Sequence, residues 1–387
     1  MNAHDFKLRN NAILLVVVMF LYYFLSPVVL SDYAGQEIGR YFGLELQSPG
    51  IFVLAATVSF LVFFILMRRY NSYLGATLHS KDVAVIRIIF HLSLWVLMWS
   101  FVYLLYTYAV QPPIDRSEAF HRLIPYRHSA FISAISSLFL VSAFALFYQG
   151  GGKRYIYIAF LVLVLPEILY GSRVSLLRVL LLIFLIERIS FKSVVIGALF
   201  IAVFVFSRAS LGYGYGDVYS IISIMFGDPL NIFYGIVNLQ YLSNIDFSCG
   251  VDGLHFTRIL IPPVFGLRDF LNAYIGDVTI CINKSGFGAG LPDGLGGSPA
   301  NDLLVSPLSF LTSTIFFISV SLMIFYSKAL PIILKYVYII LLVSCLPFFM
   351  RNGWIAGINH TLTVFIWILT PLFFLLLLQS NIVRGKI

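Results

Sequence analysis

The chain has 387 residues, of which 60% are hydrophobic and only 11% charged, and its mean hydropathy is +0.94. A soluble domain carries about 25% charged residues, so a water-soluble enzyme is excluded and a polytopic membrane protein is implied. The net charge of +8 does not require a nucleic-acid partner, because basic residues of a membrane protein face anionic lipid.

A helix needs roughly 20 apolar residues to cross the ~30 Å hydrocarbon core. Ten apolar segments are predicted, at about 11–30, 51–67, 88–110, 129–148, 155–170, 174–187, 193–207, 303–326, 332–350 and 355–379. The first has no A-x-A cleavage site and reads as an anchor. Basic residues in short loops belong on the inner side. Lys7 and Arg9, Arg68, Arg69 and Lys81, Lys153 and Arg154, Arg188 and Lys192, Lys328, and Arg384 with Lys386 then share one side, and both termini are inside.

Seven of the eight lysines fall inside; only Lys284 does not. The outer side keeps ten arginines: Arg40, Arg116, Arg122, Arg127, Arg173, Arg178, Arg208, Arg258, Arg268 and Arg351. A solvated surface has no reason to prefer arginine so strongly. The guanidinium offers a planar fork that matches phosphate and carboxylate and stays charged when partly dehydrated. Any one of these arginines can equally be an interfacial anchor.

The hairpin "EILYGSRVSLLRVLLLIFLIER" (167–188) places Arg178 in a short apolar limb. An arginine deep in lipid costs at least ~2.5 kcal/mol on insertion scales, so Arg178 is expected to face a partner or a polar cavity. Arg173 lies five residues before it, about 7.5 Å along a helix, and Glu167 is close by. A structural Glu–Arg pair and a cavity open to the outer leaflet are both consistent with the pattern.

The loop 208–302 separates the seventh and eighth segments. Loops beyond ~15 residues are usually functional or disordered, and this one is too apolar and aromatic for disorder. Leu230, Phe233, Ile236, Val237 and Tyr241 recur at a near-helical period, which predicts an amphipathic interfacial helix. A span over 217–241 is the rival, opposed by Asp228-Pro229 at its middle. "GFGAGLPDGLGGSP" (286–299) is irregular, whether linker or lid. Cys249 and Cys281 lie in this loop; a bridge between them is allowed in an oxidising compartment, but spacing alone does not establish it.

Motifs of soluble enzymes are absent: no H-E-x-x-H, Walker A, G-x-S-x-G or D-x-D occurs. No metal-ligand cluster or cofactor motif is present, so no cofactor is expected and phosphate would be neutralised by arginine. Candidate bases are His255, His121, His128 and His360, and the acidic candidates are Glu167, Asp293 and Asp302.

Local sequence and predicted topology together resemble the bacterial O-antigen polymerases (Wzy-type oligosaccharide repeat-unit polymerases). "YGSR" (170–173) resembles the Gly-Ser-Arg that ends a span in that family. "RILIPPVFG" (258–266) resembles its Ile-Pro loop segment, and "GFGAG…GGSPANDLLVSPLSF" (286–310) its Gly-rich approach to the next span. The R-x10-G repeat of some members does not start at Arg208, Arg258 or Arg268.

The resemblance implies a GT-C-like, all-α polytopic membrane glycosyltransferase: one transmembrane domain over 1–387, with the loop 208–302 in the periplasm. It would sit in a bacterial inner membrane. Its substrates would be undecaprenyl-diphosphate-linked oligosaccharides, with a chain-length-regulating membrane protein as a candidate partner. His255, Glu167, Arg173 and Arg258 are then the expected catalytic residues. Arg178, Arg208, Arg268, Arg122, Arg127 and Tyr213 are the expected contacts to diphosphate or glycan. An O-antigen ligase of the same architecture and a lipid-linked oligosaccharide flippase are the alternatives; a flippase would favour repeated halves, and no internal repeat is seen. The topology predicts that a cysteine-accessibility scan labels positions 245–300 from outside while positions 70–80 are protected. Labelling of both regions from one side would contradict it.

Overall fold

The computed structural model describes residues 13–30, 50–69, 80–112, 130–168, 174–186, 299–328, 330 and 332–384, with 195, 199 and 202. Among these the chain is helical apart from turns. The helices are α1 (Ile13–Leu30), α2 (Gly50–Arg69), α3 (Ser80–Val110), α4 (Ala130–Leu146), α5 (Arg154–Ile168), α6 (Val174–Ile186), α7 (Pro299–Val305), α8 (Pro307–Tyr326), α9 (Ile332–Asn352) and α10 (Trp354–Arg384). Nine of the ten predicted apolar segments overlap these helices; 193–207 lies almost wholly outside the described residues.

Among the described residues, four helices are long and apolar enough to cross a membrane: α1, α3, α8 and α9. α2, α4 and α5 contain shorter apolar stretches. The chain is therefore an all-α membrane protein. The outer face of α3 agrees with that. Leu92, Trp95, Trp99 and Tyr106 are each more than 60% exposed there, a ridge of large apolar side chains at helical spacing that water would not tolerate.

Two boundaries differ from expectation. α3 begins eight residues before position 88, with Asp82 in its first turn, where a carboxylate suits the positive end of the helix dipole. The segment expected to run unbroken over 303–326 is split into α7 and α8 at Ser306, whose φ of −141° and ψ of 65° are not helical. Pro307 causes the break, because a proline ring bars its predecessor from the helical region.

α9 is the centre of the bundle. Its apolar window is 89% buried, against 28% for α3. It packs on α10, α6, α4 and α7. α3 packs on α4, α5 on α6, and α2 on α7 and α8. Aromatic rings fill the junction of α2, α8, α9 and α10. Phe63 meets Phe349 at 5.2 Å and Trp354 at 5.7 Å, and Phe317 meets Phe349 at 5.2 Å. Deeper along the same helices, Tyr338 shares a 2.8 Å hydrogen bond with the Ser321 hydroxyl, so its buried phenol is satisfied.

α9 and α10 are joined by one residue, Gly353, at φ 93°. Only glycine takes that conformation without strain. A Cβ at Gly353 would lie 2.8 Å from an Asp302 carboxylate oxygen, and one at Gly357 would lie 2.4 Å from the Phe349 ring. Gly353, Gly357 and Thr361 thus form a small-residue stripe at four-residue spacing, which lets α10 approach α9 closely.

So tight a turn buries the first amides of α10, and those amides need acceptors. Gly353 has no side chain to cap them. Asp302 on α7 does so instead: its carboxylate accepts from the backbone N–H of Trp354 and, at 3.0 Å, of Ile355. Asp302 is only 5% exposed. Asp302→Ala is expected to destabilise the detergent-solubilised protein by on the order of 1–3 kcal/mol for each amide left unpaired. Asp302→Asn keeps an acceptor oxygen and should lose less. Thermal unfolding of the two variants beside wild type checks this ordering.

Candidate functional site

Of the residues expected to act in catalysis or to contact diphosphate or glycan, Arg178 is the one whose side chain the structure describes, and it is buried at 8% exposure. It stands one turn into α6, where the run Val174–Ile186 is apolar on nearly every side. Its Nη2 donates to the Ser137 hydroxyl of α4 at 2.7 Å, and its Nε donates to the Ser344 carbonyl of α9 at 3.1 Å. The guanidinium therefore ties three helices together. A planar fork can donate in two directions at once; an ammonium on a flexible stem cannot hold both in fixed geometry.

The surrounding polar groups come from residues that are otherwise scarce in apolar helices. α4 carries Ser136, Ser137 and Ser142, all buried. Ser142 bonds back to the Phe139 carbonyl at 2.9 Å, and Ser137 is left to face Arg178. In α9, Pro347 lacks an N–H and loosens the ladder one turn back, beside the Ser344 carbonyl that Arg178 uses. The Ser344 hydroxyl donates to the Leu341 carbonyl at 2.9 Å. Cys345 is a free, buried thiol whose Sγ lies 3.9 Å from the Ser344 hydroxyl. The Thr361 hydroxyl donates to the Gly357 carbonyl at 2.8 Å. The His360 ring lies flat on Phe348, with centroids 4.3 Å apart and planes at 22°. The result is a polar junction inside the bundle where α4, α6, α9 and α10 meet.

Depth along the helices is consistent across the junction. Ser344 lies eight residues before the end of α9, or about 12 Å at 1.5 Å per residue. His360 lies six residues after the start of α10, or about 9 Å. The two helices turn back on each other at Gly353, so these positions differ in depth by about two residues. Beside Ser136, a small cleft of about 20 Å³ lies between α3, α4 and α5; Leu97, Phe101 and Leu163 supply apolar walls, and Ser100 and Ser136 the polar lining.

Glu167 is the penultimate residue of α5, and α5 packs against α6, so its backbone is on the helix adjoining Arg178. His255, Arg258, Arg173, Arg208, Arg268, Arg122, Arg127 and Tyr213 lie outside the described residues, as do Cys249 and Cys281. Asp302, a candidate acid by sequence, is engaged as the cap of α10. Among the described residues no three His, Cys, Asp or Glu side chains are grouped so as to hold a metal ion.

Several participants were not singled out from sequence: Ser137, Ser344, Cys345 and Thr361. The signals were present as a Ser-Ser pair in an apolar helix, a proline three residues after Ser344, and the Gly-x3-Gly-x3-Thr spacing at 353–361. No protein-family model, curated protein or solved structure matches the chain.

Arg178→Lys keeps a charge but cannot reach Ser137 and Ser344 together. A hydrogen bond to a charged group contributes about 1.5–3 kcal/mol. The variant is expected to lose stability on that scale in detergent, measured by thermal unfolding; an unchanged midpoint would show that the three-helix tie carries no weight.

Proposed function

We propose that the protein is a metal-independent membrane glycosyltransferase: a polymerase of O-antigen or another surface polysaccharide, with GT-C-like architecture and about ten spans. It acts at the periplasmic face of a bacterial inner membrane, with the loop 208–302 outside and both termini inside. The growing glycan passes from its undecaprenyl-diphosphate carrier to a sugar hydroxyl of a new lipid-linked repeat unit. A chain-length-regulating membrane protein is the expected partner.

The observation that carries this reading is the placement of arginine. The outer side by the lysine sorting is supplied almost only with arginine, and one of these residues, Arg178, is buried inside the bundle with its guanidinium on the Ser137 hydroxyl and the Ser344 carbonyl. The leaving group of the proposed transfer is a lipid diphosphate whose charge grows as the bond breaks. Preorganised cations in a water-poor site stabilise such charge strongly, and guanidinium matches phosphate geometry. Arg173 and Arg258 are the diphosphate contacts in this reading. Arg178, Arg208, Arg268, Arg122 and Arg127 add to the field, and Tyr213 offers a ring for a sugar. The acceptor hydroxyl gives its proton to a base; His255 and Glu167 are the candidates that the sequence singles out.

Loss of one preorganised donor to developing charge costs roughly 10²–10³ in rate, about 2.7–4 kcal/mol. Arg258→Ala and Arg173→Ala are therefore expected to abolish long glycan chains at unchanged protein level, and Arg→Lys at either position to give short chains or none. Arg40→Ala and Arg351→Ala should be milder, as interfacial anchors. Gel profiles of lipopolysaccharide from complemented cells test this. Normal chain length in both Arg258→Ala and Arg173→Ala would remove these two residues from the diphosphate site.

A further inference from the structure

α3 and α5 lie side by side and run in the same direction. The Phe90 ring of α3 meets the Tyr155 ring of α5 at 5.1 Å. Further along both helices, Leu97 of α3 lines one small cleft with Val162 and Leu163 of α5. The two helices therefore begin at the same end of the bundle, and that end is rich in positive charge. Arg87 stands one turn before Phe90, and Arg154 adjoins Tyr155; both are exposed, as is Lys153. The first turn of α5 contains no acidic residue, although the positive end of a helix dipole favours one. The Arg154 guanidinium lies over the Tyr155 ring at 5.1 Å. Among the described residues, no carboxylate pairs with Arg87 or Arg154.

The exposed face of α3 changes character along its length. Arg87, His91, Trp95 and Trp99 recur at four-residue spacing and are all exposed, so they form one stripe. Arg87 and Trp99 are about 18 Å apart along the axis at 1.5 Å per residue, close to the depth of one leaflet of a ~30 Å hydrocarbon core. The outward face of α5 repeats the order, with Arg154 at its start and then Tyr157 and Leu161. Cations at one end and large apolar side chains beyond them complement a phospholipid, whose phosphate and acyl chains are arranged in the same order. Guanidinium matches phosphate with paired hydrogen bonds. A zwitterionic headgroup brings an ammonium close to these arginines along with its phosphate, and like charges repel. An anionic headgroup carries no such cost.

We propose that the shared starting end of α3 and α5 is a binding site for an anionic phospholipid, with its phosphate held by Arg87 and Arg154 and an acyl chain laid over Trp95 and Trp99. Such a site does not depend on the reaction that the protein performs.

The test uses full-length protein in phosphatidylcholine nanodiscs, into which phosphatidylglycerol with brominated acyl chains is introduced. Bromine quenches tryptophan fluorescence on contact, so Trp95 and Trp99 report a chain lying on them. Quenching by brominated phosphatidylglycerol should saturate at a lower lipid fraction than quenching by brominated phosphatidylcholine. Arg87→Gln and Arg154→Gln should each raise the half-quenching fraction about tenfold or more, the effect of losing a hydrogen bond to a charged group. Lys328→Gln removes an exposed cation elsewhere and should raise it by less than about fivefold, the worth of a cation that only lies near an anionic surface. Replacing Trp95 and Trp99 together by Leu should remove the quenching specific to phosphatidylglycerol. Equal quenching by the two brominated lipids overturns the proposal, as does an equal shift in Lys328→Gln and Arg87→Gln. Quenching by neither lipid would mean that another protein chain covers the ridge, and overturns it as well.

Discussion

The Asp302 carboxylate at the buried start of α10 is the contact on which the described bundle depends. α9 and α10 are connected through a single glycine, so the first amides of α10 are sunk among Phe63, Phe317, Phe349 and Trp354, where no water can serve them. A helix end buried without acceptors would cost several kcal/mol. One carboxylate supplies the acceptor and a negative charge at the positive end of the dipole. The residue that supplies it is distant in sequence, so the cap also anchors α7, and through α7 it anchors α2 and α8. The break at Ser306–Pro307 is what turns α7 toward that position.

With the hairpin fixed, α4 and α6 close on Ser344 of α9 through Arg178. Burying a guanidinium is costly unless its donors are used. Here two of them join α6 to α4 and α9. The same bonds hold a permanent positive charge inside an apolar bundle at a definite place. A charge held this rigidly needs little rearrangement when a substrate's own charge changes, which is the physical basis of electrostatic catalysis.

The membrane class and the rough positions of nine helices could be read from hydropathy alone, because apolar runs near twenty residues have few other uses. The need for a partner at Arg178 could also be read, since an arginine in an apolar helix has to be satisfied. Its actual partners could not. Ser137 and Ser344 are 41 and 166 residues away, and the Ser-Ser pair and the proline three residues after Ser344 do not say which helix those serines face. Asp302 reads from sequence only as one of three acidic candidates; its use as a cap is visible only once the Gly353 turn is placed beside it. The π-helical turn at Leu21–Leu25 and the Pro307 break show the same limit: composition reports a helix, and backbone detail decides where it bends.

The most direct test of the polymerase account is the lipopolysaccharide of a strain lacking this gene. A polymerase joins repeat units after they have crossed the membrane and before they are handed on, so its loss leaves transfer of single units possible. The account predicts lipid A core bearing one repeat unit, with the ladder of longer chains gone and restored by the wild-type gene. Lipid A core bearing no repeat unit at all, the result expected on losing a ligase or a flippase, would contradict it.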